Sequence, residues 1–221
     1  MNSVNILNKY FNKLYLISSY PTQNRINDIV SFFSKENIEC ELVIAPKKKY
    51  FKPDYNITLA NEGNQSLTSA NESIFLKELY IKSDSFCVME DDVFFDLEYE
   101  IKLTKFFNQL PSDWDILNLG YHDHSPINSK MIADISYYKL NKNEEIVGTH
   151  IISYKKHTVQ HLLNVIENSI YPMDWFLTRN VYSQFNTYTC SNKIFYSSSF
   201  RKNENRDSFY KKYKSEIDYE S

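Results

Sequence analysis

Apolar positions along this chain switch repeatedly between strand-like runs and helical spacing. Leu14-Tyr15-Leu16-Ile17 is a short continuous apolar run, stopped by Ser18-Ser19-Tyr20-Pro21, and reads as a buried strand. Ile26, Ile29, Val30 and Phe33 then recur at helical spacing, and Cys40-Glu41-Leu42-Val43-Ile44 returns to strand character before Ala45-Pro46. A strand–helix–strand opening is the mark of a partly parallel α/β sheet. Residues 47–66 are basic and then polar without a sustained period, and read as a long loop. Ile74, Phe75, Leu76 and Leu79 predict a helix over 68–81, followed by a strand over 86–89. A further helix over 97–110 turns Ile101, Leu103, Phe106 and Phe107 inward, and residues 115–119 form a strand stopped by Gly120.

Beyond a polar stretch at 121–130, strand-like runs fall at 132–140 and 146–153, and helical spacing returns at Val159, Leu162, Leu163 and Ile166. Pro172-Met173-Asp174 opens a helix through Trp175, Phe176, Val181 and Tyr182, and short strands at 188–190 and 194–196 finish the core. From Arg201 the chain is highly charged, with Phe209, Tyr210, Tyr213 and Ile217 at helical spacing. The expected organisation is one domain over 1–200 and a charged tail or terminal helix over 201–221.

Composition narrows the function classes. With 221 residues, 42% hydrophobic and 24% charged, the chain can bury a substantial core and is not a disordered polyelectrolyte. A net charge of -3 with acids and bases interspersed argues against a nucleic-acid or anionic-membrane surface. No apolar run reaches membrane-spanning length, and the N-terminus lacks a signal-peptide core. Cys40, Cys87 and Cys190 lie far apart with neither zinc spacing nor a paired framework. They read as small buried hydrophobes in a reducing, cytoplasmic setting. Glycine occurs only at 63, 120 and 148, so neither a P-loop nor a GxGxxG turn can be built. If phosphates are bound, a metal ion must carry more of their charge than backbone amides do.

Val88-Met89-Glu90-Asp91-Asp92-Val93-Phe94-Phe95 supplies the means: three consecutive acids between apolar runs. Carboxylates buried without a partner cost several kcal/mol, which places these at a strand end facing a cation. Hard carboxylate oxygens suit Mg²⁺ or Mn²⁺, whose remaining positions often go to phosphate oxygens. On an extended segment alternate side chains share a face, so Glu90 and Asp92 point together and Asp91 points away. Asp92 is then the leading metal ligand, Glu90 its helper, and Asp91 a contact to ribose or a brace for the turn. The competing reading is a turn whose acids favour the next helix's N-terminus.

Asp174, between Met173 and Trp175, is either a helix N-cap or a general base whose affinity for protons is tuned by the indole beside it. In Gly148-Thr149-His150, the glycine permits close approach of a ligand or another backbone, and His150 is either structural or ligand-facing. His122-Asp123-His124 has metal-ligating spacing in a loop where such residues are usually solvated. Trp114 reads as a core anchor.

Taken in order, several blocks resemble glycosyltransferase family 25, the lipooligosaccharide-type galactosyltransferase group that includes the collagen galactosyltransferase domains. They are Leu14–Ile17 with Arg25, Glu90-Asp91-Asp92-Val93, the run from Leu110-Pro111 through Trp114-Asp115 to Leu119-Gly120, Gly148-Thr149-His150 and Met173-Asp174-Trp175. The resemblance covers residues 14 to about 196. It implies a single GT-A-like (Rossmann-like) α/β domain with a mixed sheet flanked by helices, a UDP-type nucleotide-sugar donor, a glycan acceptor, Mn²⁺ or Mg²⁺, and inversion at the anomeric carbon. Its acidic motif falls on Glu90, Asp91 and Asp92, with Glu90 and Asp92 for the metal, and its Asp-Trp pair on Asp174 and Trp175, with Asp174 for catalysis. Ser18 and Arg25, after the first strand, are expected at the nucleotide sugar because ligands gather beyond strand C-termini in such sheets, with Asp91 and His150 as further contacts to it. The chain departs from the family at Ser18-Ser19-Tyr20-Pro21, where an Asn-Leu-Asp-Arg-like run is usual, and near Asn71-Glu72-Ser73, where a Ser-His pair is usual. The same acids would also serve another metal-dependent phosphoryl-transfer or hydrolytic enzyme. A non-catalytic glycan- or partner-binding domain on a decayed transferase scaffold is the third reading.

Overall fold

A computed structural model describes residues 4–19, 23–46, 62–121, 136–141, 144, 146–167, 171–191 and 193–197. In chain order it runs α1 (Ile6–Tyr10), β1 (Lys13–Ser19), α2 (Gln23–Lys35), β2 (Glu41–Ala45), α3 (Glu62–Glu78), β3 (Ser85–Glu90), β4 (Val93–Phe95) and α4 (Tyr99–Gln109). It continues through β5 (Ile116–Gly120), β6 (Tyr137–Lys139), β7 (Ile151–Lys155), α5 (Val159–Ile166), α6 (Met173–Phe176), β8 (Thr187–Cys190) and β9 (Phe195–Ser197). Seven strands form one mixed sheet in the order β2-β1-β3-β7-β5-β8-β6, and β4 pairs with β9 in a separate two-stranded ribbon.

The continuous apolar runs follow from burial on both faces of this sheet. Along β1 and β3, Tyr15, Ile17, Phe86 and Val88 enter one core with Ile152, Tyr154, Val159 and Leu162. Leu14, Leu16, Cys87 and Met89 enter a second core on the opposite face, with Leu103, Phe106 and Leu117. Phe86 is central to the first: it stacks on Tyr154 at 5.3 Å and meets Phe75 and Tyr15 edge-on, each at 6.2 Å. Truncation there leaves a void that rigid strands cannot close. Phe86→Ala should therefore lower unfolding free energy by about 3–5 kcal/mol in denaturant titrations. A loss below ~1 kcal/mol would mean that the core refills.

β1 runs parallel to β2 and β3, whereas β7 is antiparallel to both its neighbours, β3 and β5. That reversal positions the site. The start of β7 lies beside the end of β3, with Met89 opposite Ile151 and the Glu90 N–H donating to the His150 carbonyl at 2.9 Å.

Several elements differ from the sequence expectation, each for a local reason. The run expected as one strand over 146–153 yields β7 only from Ile151, because Gly148 at φ 106° takes the preceding residues out of extended geometry. Of the run at 132–140, residues 137–139 form β6, and 132–135 lie outside the described residues. α3 begins at Glu62, inside the stretch read as loop, since its first turns carry no apolar stripe. α1 has five residues and is held by Asn5, whose side chain accepts from the Leu7 N–H at 3.0 Å while Leu7 is buried. β4 was hidden in the apolar run after the acids and finds its partner about a hundred residues later. The helix expected from Pro172 to Tyr182 is one α turn, then a π turn (Leu177–Val181) and a 3₁₀ turn (Tyr182–Gln184). Among the described residues, no helix is long and apolar enough to cross a membrane. The expected loop segment 47–61 and the tail 201–221 lie outside the described residues.

Candidate functional site

Glu90 closes β3, Asp91 and Asp92 form the turn, and Val93 opens β4. The Asp91 N–H donates to the Ile17 carbonyl at 3.0 Å, so the turn is anchored to β1 as well as to His150. Ser18 Oγ donates to Asp91 Oδ2 at 2.5 Å, which draws Asp91 towards β1. Glu90 and Asp92 turn together instead. With His150, each presents one ligand atom, and the three atoms lie within 4.8 Å of one another. The Thr149 hydroxyl donates to the Glu90 carboxylate, and Ser197 Oγ at the end of β9 donates to Asp92 Oδ2 at 2.7 Å. Asp91, Asp92 and His150 are buried.

Two of the three glycines shape this corner. A Cβ on Gly120 would stand 2.9 Å from Ile151 Cγ2 and 3.1 Å from His150 Cβ, so β5 approaches the His150 backbone only because residue 120 has no side chain. Gly148 supplies the positive φ that turns the chain into β7. Asn118, fully buried on β5, donates through Nδ2 to the Gly148 carbonyl at 3.1 Å and to the Tyr182 hydroxyl at 3.0 Å. One amide thus ties the Gly148–His150 segment to the turns that follow Asp174.

Burial pushes the Glu90 carboxyl up to about 8; the Asp92 charge adds to the rise, the Thr149 hydroxyl opposes it, and Asp174 and Asp91 contribute further. In the unfolded chain this group loses its proton near the ordinary 4.5. Between those values the folded state holds the extra proton, so Glu90 makes stability fall as pH rises through the window. In metal-free buffer, wild-type Tm should drop by several degrees more than that of Glu90→Gln between pH 5 and 8.5. Parallel curves would show that Glu90 titrates normally.

Asp174 is the second residue of α6, and Pro172 occupies the N-cap position without a side-chain cap bond. The N-cap reading of Asp174 is therefore corrected. Its Oδ1 instead accepts from the next residue's N–H, that of Trp175, at 2.8 Å. Asp174 is close enough to bear on the charge of Glu90. Met173 lines a crevice together with Glu90, Thr149 and Asn71, and Asp174 lines another with Trp175 and Arg179.

Of the other candidates, Ser18 sits on Asp91 and His150 stands with Glu90 and Asp92. Arg25 belongs to α2, but its side chain lies outside the described residues, as do His122 and His124. Cys87 and Cys190 are fully buried and Cys40 partly so; burial raises all three thiols, Cys40 to about 11 and Cys87 to about 12. They behave as small hydrophobes, not nucleophiles. Trp114 packs at the margin of the second core under the Lys155 ammonium. Ser197, Thr149 and Asn118 were not singled out from the sequence. Asn118 carries a signal that could have found it, a lone amide inside Ile116-Leu117-Asn118-Leu119. Ser197 carries none.

No family model matches the sequence, and no curated protein matches it. Among solved structures, a glycosyltransferase involved in the glycosylation of the major capsid of PBCV-1 is similar with a TM-score of 0.51 at 9% identity, over 92% of this chain and 99% of that one. The fold is GT-A-like. The inositol-1-phosphate CTP transferase from T. maritima is similar at 13% identity over 84% of this chain and 88% of that one. Its TM-score of 0.45 is too low to carry an argument. At such identities the likeness speaks to the fold, and function has to be argued from the site.

Proposed function

We propose that residues 1–200 form a metal-dependent, inverting glycosyltransferase of the family 25 kind, moving a hexose from a nucleoside diphosphate sugar, UDP-linked, to a glycan hydroxyl. The observation that carries this reading is the meeting of Glu90, Asp92 and His150 where strands end in a GT-A-like sheet, with Met173, the residue before Asp174, lining one crevice with Glu90. Ligands gather at such strand ends in open α/β sheets.

The three residues fit a divalent cation. A magnesium-sized ion bound at about 2.1 Å sets opposite donors about 4.2 Å apart, and a spread of 4.8 Å closes to that by small side-chain rotations. Two carboxylates with an imidazole favour Mn²⁺ over Mg²⁺. Glu90 gives a further reason: its carboxyl, burdened by burial and by Asp92, is the group whose ionised form a cation would rescue. The ion, when bound, offsets the charge that develops on the departing diphosphate.

The chain's own residues do the rest. Ser18 holds Asp91 at the end of β1, and these two, with Arg25 of α2, are the residues we assign to the nucleotide. Asp174 accepts the proton of the acceptor hydroxyl as its oxygen bonds to the anomeric carbon. The bond from that carbon to the diphosphate oxygen breaks on the opposite face, and nucleoside diphosphate leaves with the electron pair. Three cysteines outside any disulfide suit action in the cytoplasm.

A panel of nucleotide sugars with Mn²⁺, scored for nucleoside diphosphate release with and without glycan acceptors, tests the reading. Release that depends on one donor class and stops on chelation is expected. Turnover of simple phosphoesters with no sugar donor used, or activity indifferent to chelation, would overturn it.

A further inference from the structure

The crevice that Asp174 lines is formed with Ile146, Val147, Trp175, Thr178 and Arg179. Trp175 is 42% exposed, although Met173 and Phe176 on the same turn are buried. The Arg179 guanidinium lies 4.4 Å from the Trp175 ring centre and 5.0 Å from that of Tyr171, and is held between two aromatics. Among the described residues, no carboxylate forms an ion pair with it. The backbone widens here into the π turn of Leu177–Val181, a rare geometry that is frequent at functional sites. Thr178 Oγ1 donates to the Ile146 carbonyl at 2.7 Å and fastens that turn to the opposite wall. Core packing does not account for the indole, since Met173, Phe176, Leu177 and Val181 already complete the buried face.

We infer that the exposed Trp175–Arg179 surface at the mouth of this narrow crevice is the acceptor subsite and that its occupant is an acidic saccharide, with its ring against Trp175 and its carboxylate or phosphate on Arg179. The inference rests on Asp174 being the base, since Asp174 lines the same crevice and immediately precedes the indole. An aromatic face left in water beside polar groups suits a ligand with one apolar face and several hydroxyls. The guanidinium fork matches carboxylate and phosphate oxygens two at a time. Charge decides the class. Glu90, Asp91, Asp92 and Asp174 would repel an anionic acceptor, and the Arg179 guanidinium, which lines the same crevice as Asp174, offsets that repulsion.

Ligand-observed NMR titrations on the full-length protein in chelator, with no donor present, test this without requiring turnover. The probes are methyl glucoside, methyl glucuronide and glucose 6-phosphate. In wild type at least one charged probe should bind more tightly than the neutral one, and which does so separates carboxylate from phosphate recognition. Arg179→Gln should weaken the charged probe roughly fivefold to tenfold, to the level of the neutral one. Trp175→Ala should weaken all three on the order of tenfold, while Trp175→Phe, which keeps a ring, retains most of the binding. Equal affinity for neutral and charged probes, an unaffected Arg179→Gln protein, undiminished binding in Trp175→Ala, or no binding at all would each overturn the subsite. Because the titration uses no donor, its failure is distinct from absence of nucleoside diphosphate release, which would overturn the transferase reading itself.

Discussion

Replacing Asp174 by asparagine should lower sugar transfer by ~10²–10⁴-fold while donor binding in Mn²⁺ stays near the wild-type value. The amide keeps the shape of the carboxylate and an oxygen that accepts from the Trp175 N–H, so the first turn of α6 should survive. What it loses is the ability to take up a proton. In a direct displacement nothing else replaces that, because the hydroxyl must shed its proton as it attacks. Single-turnover kinetics beside donor calorimetry read the two quantities separately. A variant that melts much earlier yet transfers sugar normally in the cold would make Asp174 a structural residue, and the base would then be sought among the acids of the β3 turn.

Asp92→Asn should have the converse signature. Donor affinity in Mn²⁺ should fall on the order of 100-fold, with the fold intact, since the amide oxygen can still accept from Ser197. Ser197→Ala offers a graded version: removing the group that orients a ligand typically costs 10–100-fold in metal affinity. Calorimetry showing wild-type donor affinity in Asp92→Asn would assign the metal elsewhere, with the His122–His124 loop the next place to look.

The sheet was legible because both its faces are buried. Runs such as Leu14–Ile17 and Phe86–Met89 have no other use than a strand covered on two sides. The separation of Asp91 from Glu90 and Asp92 matches the alternation expected of an extended chain, although Asp91 and Asp92 lie in the turn, where Asp91 is drawn to Ser18 while Glu90 and Asp92 meet His150. His150 was visible as a candidate, but its place beside Glu90 was not. That depends on β7 running antiparallel between two neighbours, and strand direction is set by the whole sheet, not by local sequence. Ser197 is a stronger case, for it reaches Asp92 only through the pairing of β4 with β9. The π turn after Phe176 could not be read either. Its apolar positions fit a plain helix, and nothing in the local pattern marks the wider turn.

The antiparallel placement of β7 also has a consequence in time. β3 has one neighbour from early in the chain, β1, and the other from residues 151–155, so Glu90 emerges from the ribosome about sixty residues before His150 does. At synthesis rates of about 5–20 residues per second that interval is roughly 3–12 s. Throughout it, the Phe86–Met89 strand is an open, wholly apolar edge of the kind that recruits a second copy of itself. The three acids that follow directly are the nearest charge to that edge. Before His150 and Ser197 reach Glu90 and Asp92, like charge at that edge opposes the addition of a second nascent chain there.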